Sequence, residues 1–170
     1  MPDTAIGRFF LFILLLLLQI TLLDRIYLFG YAVPLLYILF IIKLPGNMNR
    51  NRVLFLSALL GLCVDWFNST LGINMLACVS IGFFRSIFLN WLAPRDLFEN
   101  YIPSFRLFGA WPFFRYAFIM TVLHHTILFI SESVSFFDPL ALFFRITGSV
   151  ILTILLIFAC ESIHFGVSKK

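Results

Sequence analysis

Residues 53–92 read VLFLSALLGLCVDWFNSTLGINMLACVSIGFFRSIFLNWL, two apolar runs that are separated by little more than Asn68-Ser69-Thr70. Such a run is typical of a helix in a membrane, because about 20 apolar residues cross the hydrocarbon core. The first run is short, so the two form either a tight helical hairpin or a re-entrant pair that other helices cover. The pattern favours the hairpin.

The composition of the whole chain extends this interpretation. Of 170 residues, 62% are hydrophobic and 12% are charged, whereas soluble domains are about 45–50% apolar and about 25% charged. These values exclude a water-soluble globule and leave no length for a separate catalytic domain. We therefore predict that residues 1–170 form one membrane domain, an all-α bundle of six transmembrane helices at 9–23, 26–44, 53–67, 71–92, 111–130 and 139–159. Pro34 should kink the second helix.

The cations predict the orientation, because Lys and Arg concentrate on the cytoplasmic side of membrane proteins. With a cytoplasmic N-terminus, the outer connections hold only Arg25, and the inner side holds Arg8, Lys43, Arg50, Arg52, Arg95, Arg106, Lys169 and Lys170. Both termini are therefore predicted to be cytoplasmic. The net charge of +4 is too scattered for a nucleic-acid footprint.

The connection over residues 93–110 mixes aromatic residues with cations and prolines. Arg95, Tyr101 and Phe105 lie in it. Such a segment is typical of the headgroup level of a membrane. It is either an interfacial loop or a docking surface for a partner protein.

Two charged residues are predicted to lie in the outer part of the bundle, where isolated charges are costly. Asp65 falls near the end of the third span and Arg145 near the start of the sixth, at similar depth. We expect them to form an ion pair, in a structural role or, alternatively, in a ligand or proton-relay role. Replacing either residue alone should then lower the level of the protein, and exchanging the two residues should restore part of that level.

No set of catalytic residues is apparent, and neither an enzyme nor a cofactor is predicted. The adjacent His124 and His125 point about 100° apart on a helix, so both cannot bind one metal ion in the way that an i, i+4 pair could. The cysteines have no metal-binding or disulfide spacing. Paired carboxylates or a metal set, which a lipid-modifying enzyme would need, are also lacking.

The stretch from Gly61 to Met75 resembles the signature of the rod shape-determining protein MreD family. In that signature G-L-x-x-D is followed by L-G and by a polar-apolar pair that opens the next helix. Gly61, Asp65, Leu71 and Gly72 match it. Asn74 and Met75 stand where a His-x-Leu or similar pair is commoner.

The resemblance implies a bacterial inner-membrane subunit of the cell-elongation machinery. Such a subunit would bind an MreC-like membrane protein and, through it, link MreB filaments to peptidoglycan synthases. The resemblance also implies a bundle similar to the substrate-binding subunits of energy-coupling-factor transporters. The alternative function is therefore that of a vitamin-binding transporter subunit, although the first apolar run lacks the small residues that such subunits present to their coupling partner.

Overall fold

Helices make up nearly all of the regular structure. This computed structural model describes residues 4–28, 32–70, 72–92, 101–133 and 138–167. No strand lies among these residues, and a short 3-10 helix spans Leu23–Arg25. The α-helices are α1 (Ala5–Thr21), α2 (Ile38–Ile42), α3 (Arg50–Asn68), α4 (Ile73–Leu92), α5 (Phe105–Phe108), α6 (Ala110–Glu132) and α7 (Pro139–Val167).

Four segments of the described chain are long and apolar enough to cross a membrane, which confirms four of the predicted spans. They are Ala5–Arg25, Ile73–Leu92, Ala110–Glu132 and Pro139–Ile163. Large apolar side chains on their outer sides are exposed, for example Phe9 at 63% and Leu155 at 61%. A soluble monomer rarely exposes so much apolar surface. The chain is therefore an all-α, multi-pass membrane protein.

The predicted hairpin is formed by α3 and α4, which are 19 and 20 residues long. Ser69 ends α3 with a positive φ of 54° and Gly72 follows with a φ of 79°, so the chain reverses within a few residues. The two helices pack closely, since a Cβ on Gly61 would overlap the backbone of Met75. A Cβ on Gly82 would come within 2.6 Å of the Ser57 hydroxyl. Small residues thus allow the close approach of the two helices, although α3, which carries Arg50, Arg52 and Asp65, is not among the four apolar segments.

The prediction of a continuous helix over 26–44 is wrong. Of its described residues, only Ile38–Ile42 are α-helical, and residues 33–35 have no regular structure. Pro34 does not kink a helix here. It lacks an N–H and disfavours the helical conformation of the residue before it, so the helix begins only after it. We refer to residues 32–44 as the central segment, because Leu36 to Ile42 are each at most 4% exposed.

The central segment lies beside α7 over part of the length of that helix. Its start is at the level of Ser149, whose hydroxyl accepts a hydrogen bond from the Val33 N–H (2.9 Å). Its end is at the level of Glu161, which forms an ion pair with Lys43. These two α7 residues are twelve positions apart, a distance of about 18 Å along a helix. The segment thus extends beside α7 with only residues Ile38–Ile42 in an α-helix.

Candidate functional site: a buried polar network at the hairpin end

Asp65 caps the N-terminus of α4. Its Oδ1 accepts hydrogen bonds from the backbone N–H and the side-chain amide of Asn74, both at 3.0 Å, and from the Thr70 hydroxyl. Its Oδ2 accepts a bond from the Met75 N–H at 2.8 Å. A helix N-terminus leaves backbone N–H groups unpaired and favours a negative charge, so a carboxylate from the preceding helix satisfies both needs. The Asp65 side chain is 3% exposed and fully engaged.

The predicted ion pair between Asp65 and Arg145 is therefore wrong. Arg145 instead pairs with Glu132 at 2.7 Å and lies over the Phe129 ring, 4.4 Å from its centroid. Matching the two charges by depth overlooked the backbone donors of α4, which are closer to Asp65 than any cation. It also overlooked Glu132, which ends α6 beside the start of α7.

A directional chain of hydrogen bonds leads from a buried histidine to Asp65. The Asn74 amide group donates to Asp65, so its oxygen is free to accept a bond from the Tyr37 hydroxyl (2.9 Å). Tyr37 has a single hydroxyl proton, so the His124 Nε2 at 3.1 Å must donate to the Tyr37 oxygen. His124 is consequently the Nε2–H tautomer, and the chain runs from His124 through Tyr37 and Asn74 to the carboxylate.

His125 belongs to a separate chain that supports the central segment. Its Nδ1 lies 2.9 Å from the Thr121 carbonyl oxygen and donates to it. Its Nε2 can then accept a bond from the Thr153 hydroxyl (3.2 Å), whose oxygen accepts the Leu35 N–H (3.0 Å). The two histidines thus have different partners. No group of three or more His, Cys, Asp or Glu residues that could hold a metal ion occurs in the described part of the chain.

Gln19 on α1 completes the support of the central segment. Its Oε1 accepts a bond from the Leu36 N–H (2.9 Å), and its Nε2 donates to the Pro34 carbonyl (3.0 Å). The same Nε2 also lies 2.6 Å from Asp24 Oδ1. Backbone outside a helix is tolerated at membrane depth only where protein groups satisfy it. Side chains from α1 and α7 therefore provide the hydrogen bonds that an α-helix would have made internally.

A cleft of about 260 Å³ opens above this network, at the end of the bundle where α3 turns into α4. We call this the hairpin end. The cleft contains both predicted and unpredicted polar residues: it is lined by Asp24, Asn68, Thr70, Asn74, Glu132 and Arg145, together with apolar side chains such as Val33 and Leu128. Two carboxylates and one guanidinium can bind a polar molecule, but the acids already have partners in Gln19, Asn68 and Arg145. The described lining therefore offers mainly hydrogen-bonding groups to a polar molecule.

Tyr101 and Phe105, two other predicted site residues, do not line this cleft. Leu71 and Arg95 are outside the described residues. The Phe105 ring packs inward against Phe113 and Phe158, with centroid distances of 5.1 and 4.9 Å. The Tyr101 ring occupies the space beside Gly46, where an added Cβ would overlap it. Both aromatic rings thus contribute to internal packing.

Sequence reasoning missed several members of the network. The unpredicted members are Gln19, Tyr37, Thr121, Glu132, Ser149 and Thr153. A signal existed for some of them, because Gln19 is the one amide side chain in the first apolar run and Ser149 and Thr153 are four positions apart on one helix. Such a pair faces one neighbour.

Comparisons with known proteins identify no relative of the chain. No protein-family model, curated protein or solved structure matches the chain.

Proposed function

We propose that the chain is a non-enzymatic membrane subunit of the bacterial cell-elongation machinery, similar to the MreD family. In this role it maintains rod shape by binding an MreC-like membrane protein in the lipid bilayer, which links MreB filaments to peptidoglycan synthases. The observation that supports the proposal is the use of Asp65. Gly61 and Asp65, two of the residues that carry the resemblance, both contact the start of α4 at Asn74 and Met75, and the Asp65 carboxylate is fully occupied in capping that helix. A group so occupied is suited to a scaffold and poorly suited to acid-base chemistry.

The proposal includes six crossings of the bacterial inner membrane, with both termini in the cytoplasm. The crossings would be α1, the central segment, α3, α4, α6 and α7. The path of the central segment from the level of Ser149 to that of Glu161 supports this count. Six crossings are expected of a bundle similar to the substrate-binding subunits of energy-coupling-factor transporters.

The topology can be tested with reporter fusions. Fusions after Asn49 and after Phe105 should report a cytoplasmic location, and a fusion after Ser133 should report the outer side, because Lys and Arg cluster in the second and fourth connections between the predicted spans. A paired alkaline phosphatase and fluorescent protein reporter at each site gives opposite readouts and serves as its own control. A cytoplasmic signal at Ser133 would contradict the six crossings.

Binding of the partner can be tested by copurification. We expect the tagged full chain, extracted in a mild detergent, to recover a coexpressed MreC-like membrane protein in a fixed stoichiometry. The exposed Leu and Phe side chains of α1, such as Phe10 and Leu17, suit a partner's large side chains. A tagged membrane protein of similar size is the control. Recovery of a monodisperse protein without the partner would contradict the proposal.

The hairpin-end cleft supports a second candidate, a vitamin-binding subunit of an energy-coupling-factor transporter. A polar cleft in an otherwise apolar bundle is typical of a site for a small ligand. Saturable binding of a radiolabelled vitamin to the purified chain, lost in Asn74→Leu, would favour this candidate. Absence of binding to a folded protein that recovers the MreC-like partner would favour the first.

A further inference from the structure

The hairpin-end cleft carries a negative charge that its own lining does not neutralise. Of the three charged residues that line it, Glu132 and Arg145 pair with each other at 2.7 Å. The third is Asp24, whose hydrogen-bond partners are the neutral amides of Gln19 (2.6 Å) and Asn68 (3.0 Å). Within the part of the chain that the structure describes, no Lys, Arg or His forms an ion pair with Asp24. One carboxylate charge is therefore left over in the described lining.

The Asp24 carboxylate can still accept hydrogen bonds from a ligand. A carboxylate has about four acceptor positions on its two oxygens. Each oxygen of Asp24 accepts one amide N–H, so about half of this capacity remains. The side chain is neither buried nor fully exposed. Arg25, although next in the chain, does not line the cleft. Asp24 is thus accessible to a cation that enters the cleft.

The other walls of the cleft indicate what kind of cation this is. Tyr27 lines the cleft with a side chain that is 59% exposed, and the face of an aromatic ring attracts an ammonium group. Apolar side chains, Val33, Leu35 and Leu128, form another part of the wall. An inorganic cation would gain nothing from these side chains. An organic amine brings both a positive charge and an apolar body.

We propose that the hairpin-end cleft binds the ammonium group of a small amphipathic amine, with Asp24 as its charge partner. The volume of about 260 Å³ is just below the range of small-molecule sites, about 300–1,000 Å³, so the amine is small. Hydrogen bonds between an ammonium group and a carboxylate are among the stronger ones in proteins. The inference goes beyond the proposed scaffold function, because it requires the folded chain and not the MreC-like partner. Amine binding and copurification of the partner therefore succeed or fail separately.

The test uses the purified full chain in a neutral detergent, titrated with phenethylammonium chloride in a calorimeter. We expect saturable binding at neutral pH, where a primary amine is protonated. Asp24→Asn keeps the size of the side chain, removes its charge and should weaken the affinity about tenfold. Tyr27→Leu, at an exposed position, should weaken it about threefold. The matched control is Asp138→Asn, because Asp138 is an exposed carboxylate that does not line the cleft.

Four results would overturn the proposal. The first is the absence of saturable binding of phenethylammonium to the unmodified chain. The second is an Asp24→Asn protein that binds it as tightly as Asp138→Asn does. The third is equal binding of phenethyl alcohol, which has the same apolar body without the charge and needs no variant. The fourth is displacement of phenethylammonium by phosphatidylethanolamine at the same concentration, which would identify a lipid headgroup as the ligand.

Discussion

Replacement of Asp65 by alanine should lower the free energy of unfolding by about 3–5 kcal/mol. The change strands the backbone N–H groups of Asn74 and Met75, and each buried donor without a partner costs about 1–3 kcal/mol. Asp65→Asn keeps one acceptor oxygen and should lower the free energy of unfolding by about half as much. Thermal unfolding of the purified protein, with the yield of monodisperse material, measures the effect.

Asp138 provides a matched control for this prediction. It also accepts backbone hydrogen bonds at a helix start, from Leu140 (3.0 Å) and Ala141 (3.2 Å), but it is exposed. Asp138→Ala should cost about 1 kcal/mol, the usual value for a lost cap. Equal effects at the two positions would contradict the account of Asp65. Exchange of Asp65 and Arg145 should recover nothing, because the two residues do not pair.

Gln19→Leu should have the second large effect and lower the free energy of unfolding by about 2–5 kcal/mol. Leucine is close to glutamine in size, so packing is preserved, while the Leu36 N–H and the Pro34 carbonyl lose their partner. Both groups lie in a buried segment without helical hydrogen bonds, and the cost of each is about 1–3 kcal/mol. The same unfolding measurement applies.

Thr21→Val is the control for Gln19→Leu on the same helix. The Thr21 hydroxyl is exposed and only donates to the Leu17 carbonyl of its own helix, so its loss should change stability by less than about 0.5 kcal/mol. A Gln19→Leu protein as stable as Thr21→Val would show that the central segment does not depend on α1 for its hydrogen bonds.

The sequence was sufficient to predict the parts of the fold that depend on local composition. Helices α1, α4, α6 and α7 are apolar over 20 or so residues, and a membrane leaves such a run few structures other than a helix. The hairpin was also predictable, because Gly61, Ser69 and Gly72 provide the close approach and the positive φ angles that it needs.

The central segment could not be predicted, because it depends on contacts that are distant in the chain. Its composition is as apolar as that of a membrane helix, and Pro34 alone does not decide between a kinked helix and a non-helical segment. Its non-helical backbone depends on the hydroxyls of Ser149 and Thr153. They accept hydrogen bonds from the Val33 and Leu35 amides, which are 116 and 118 positions away in the chain. The partners of Asp65 are close in the chain, but they are uncharged groups, two of them backbone N–H groups, which a count of charged residues does not include.

The dependence of the central segment on α7 has a consequence for the synthesis of the protein. Residues 32–44 leave the ribosome long before residues 149 and 153 are made, so the Val33 and Leu35 amides have no α7 hydroxyl to bind at that stage. Until α7 is made, these two amides need other hydrogen-bond partners than the ones they have in the folded protein. The hydrogen bonds of the central segment are therefore completed only when α7 is in place, so its final structure forms later than its position in the chain suggests.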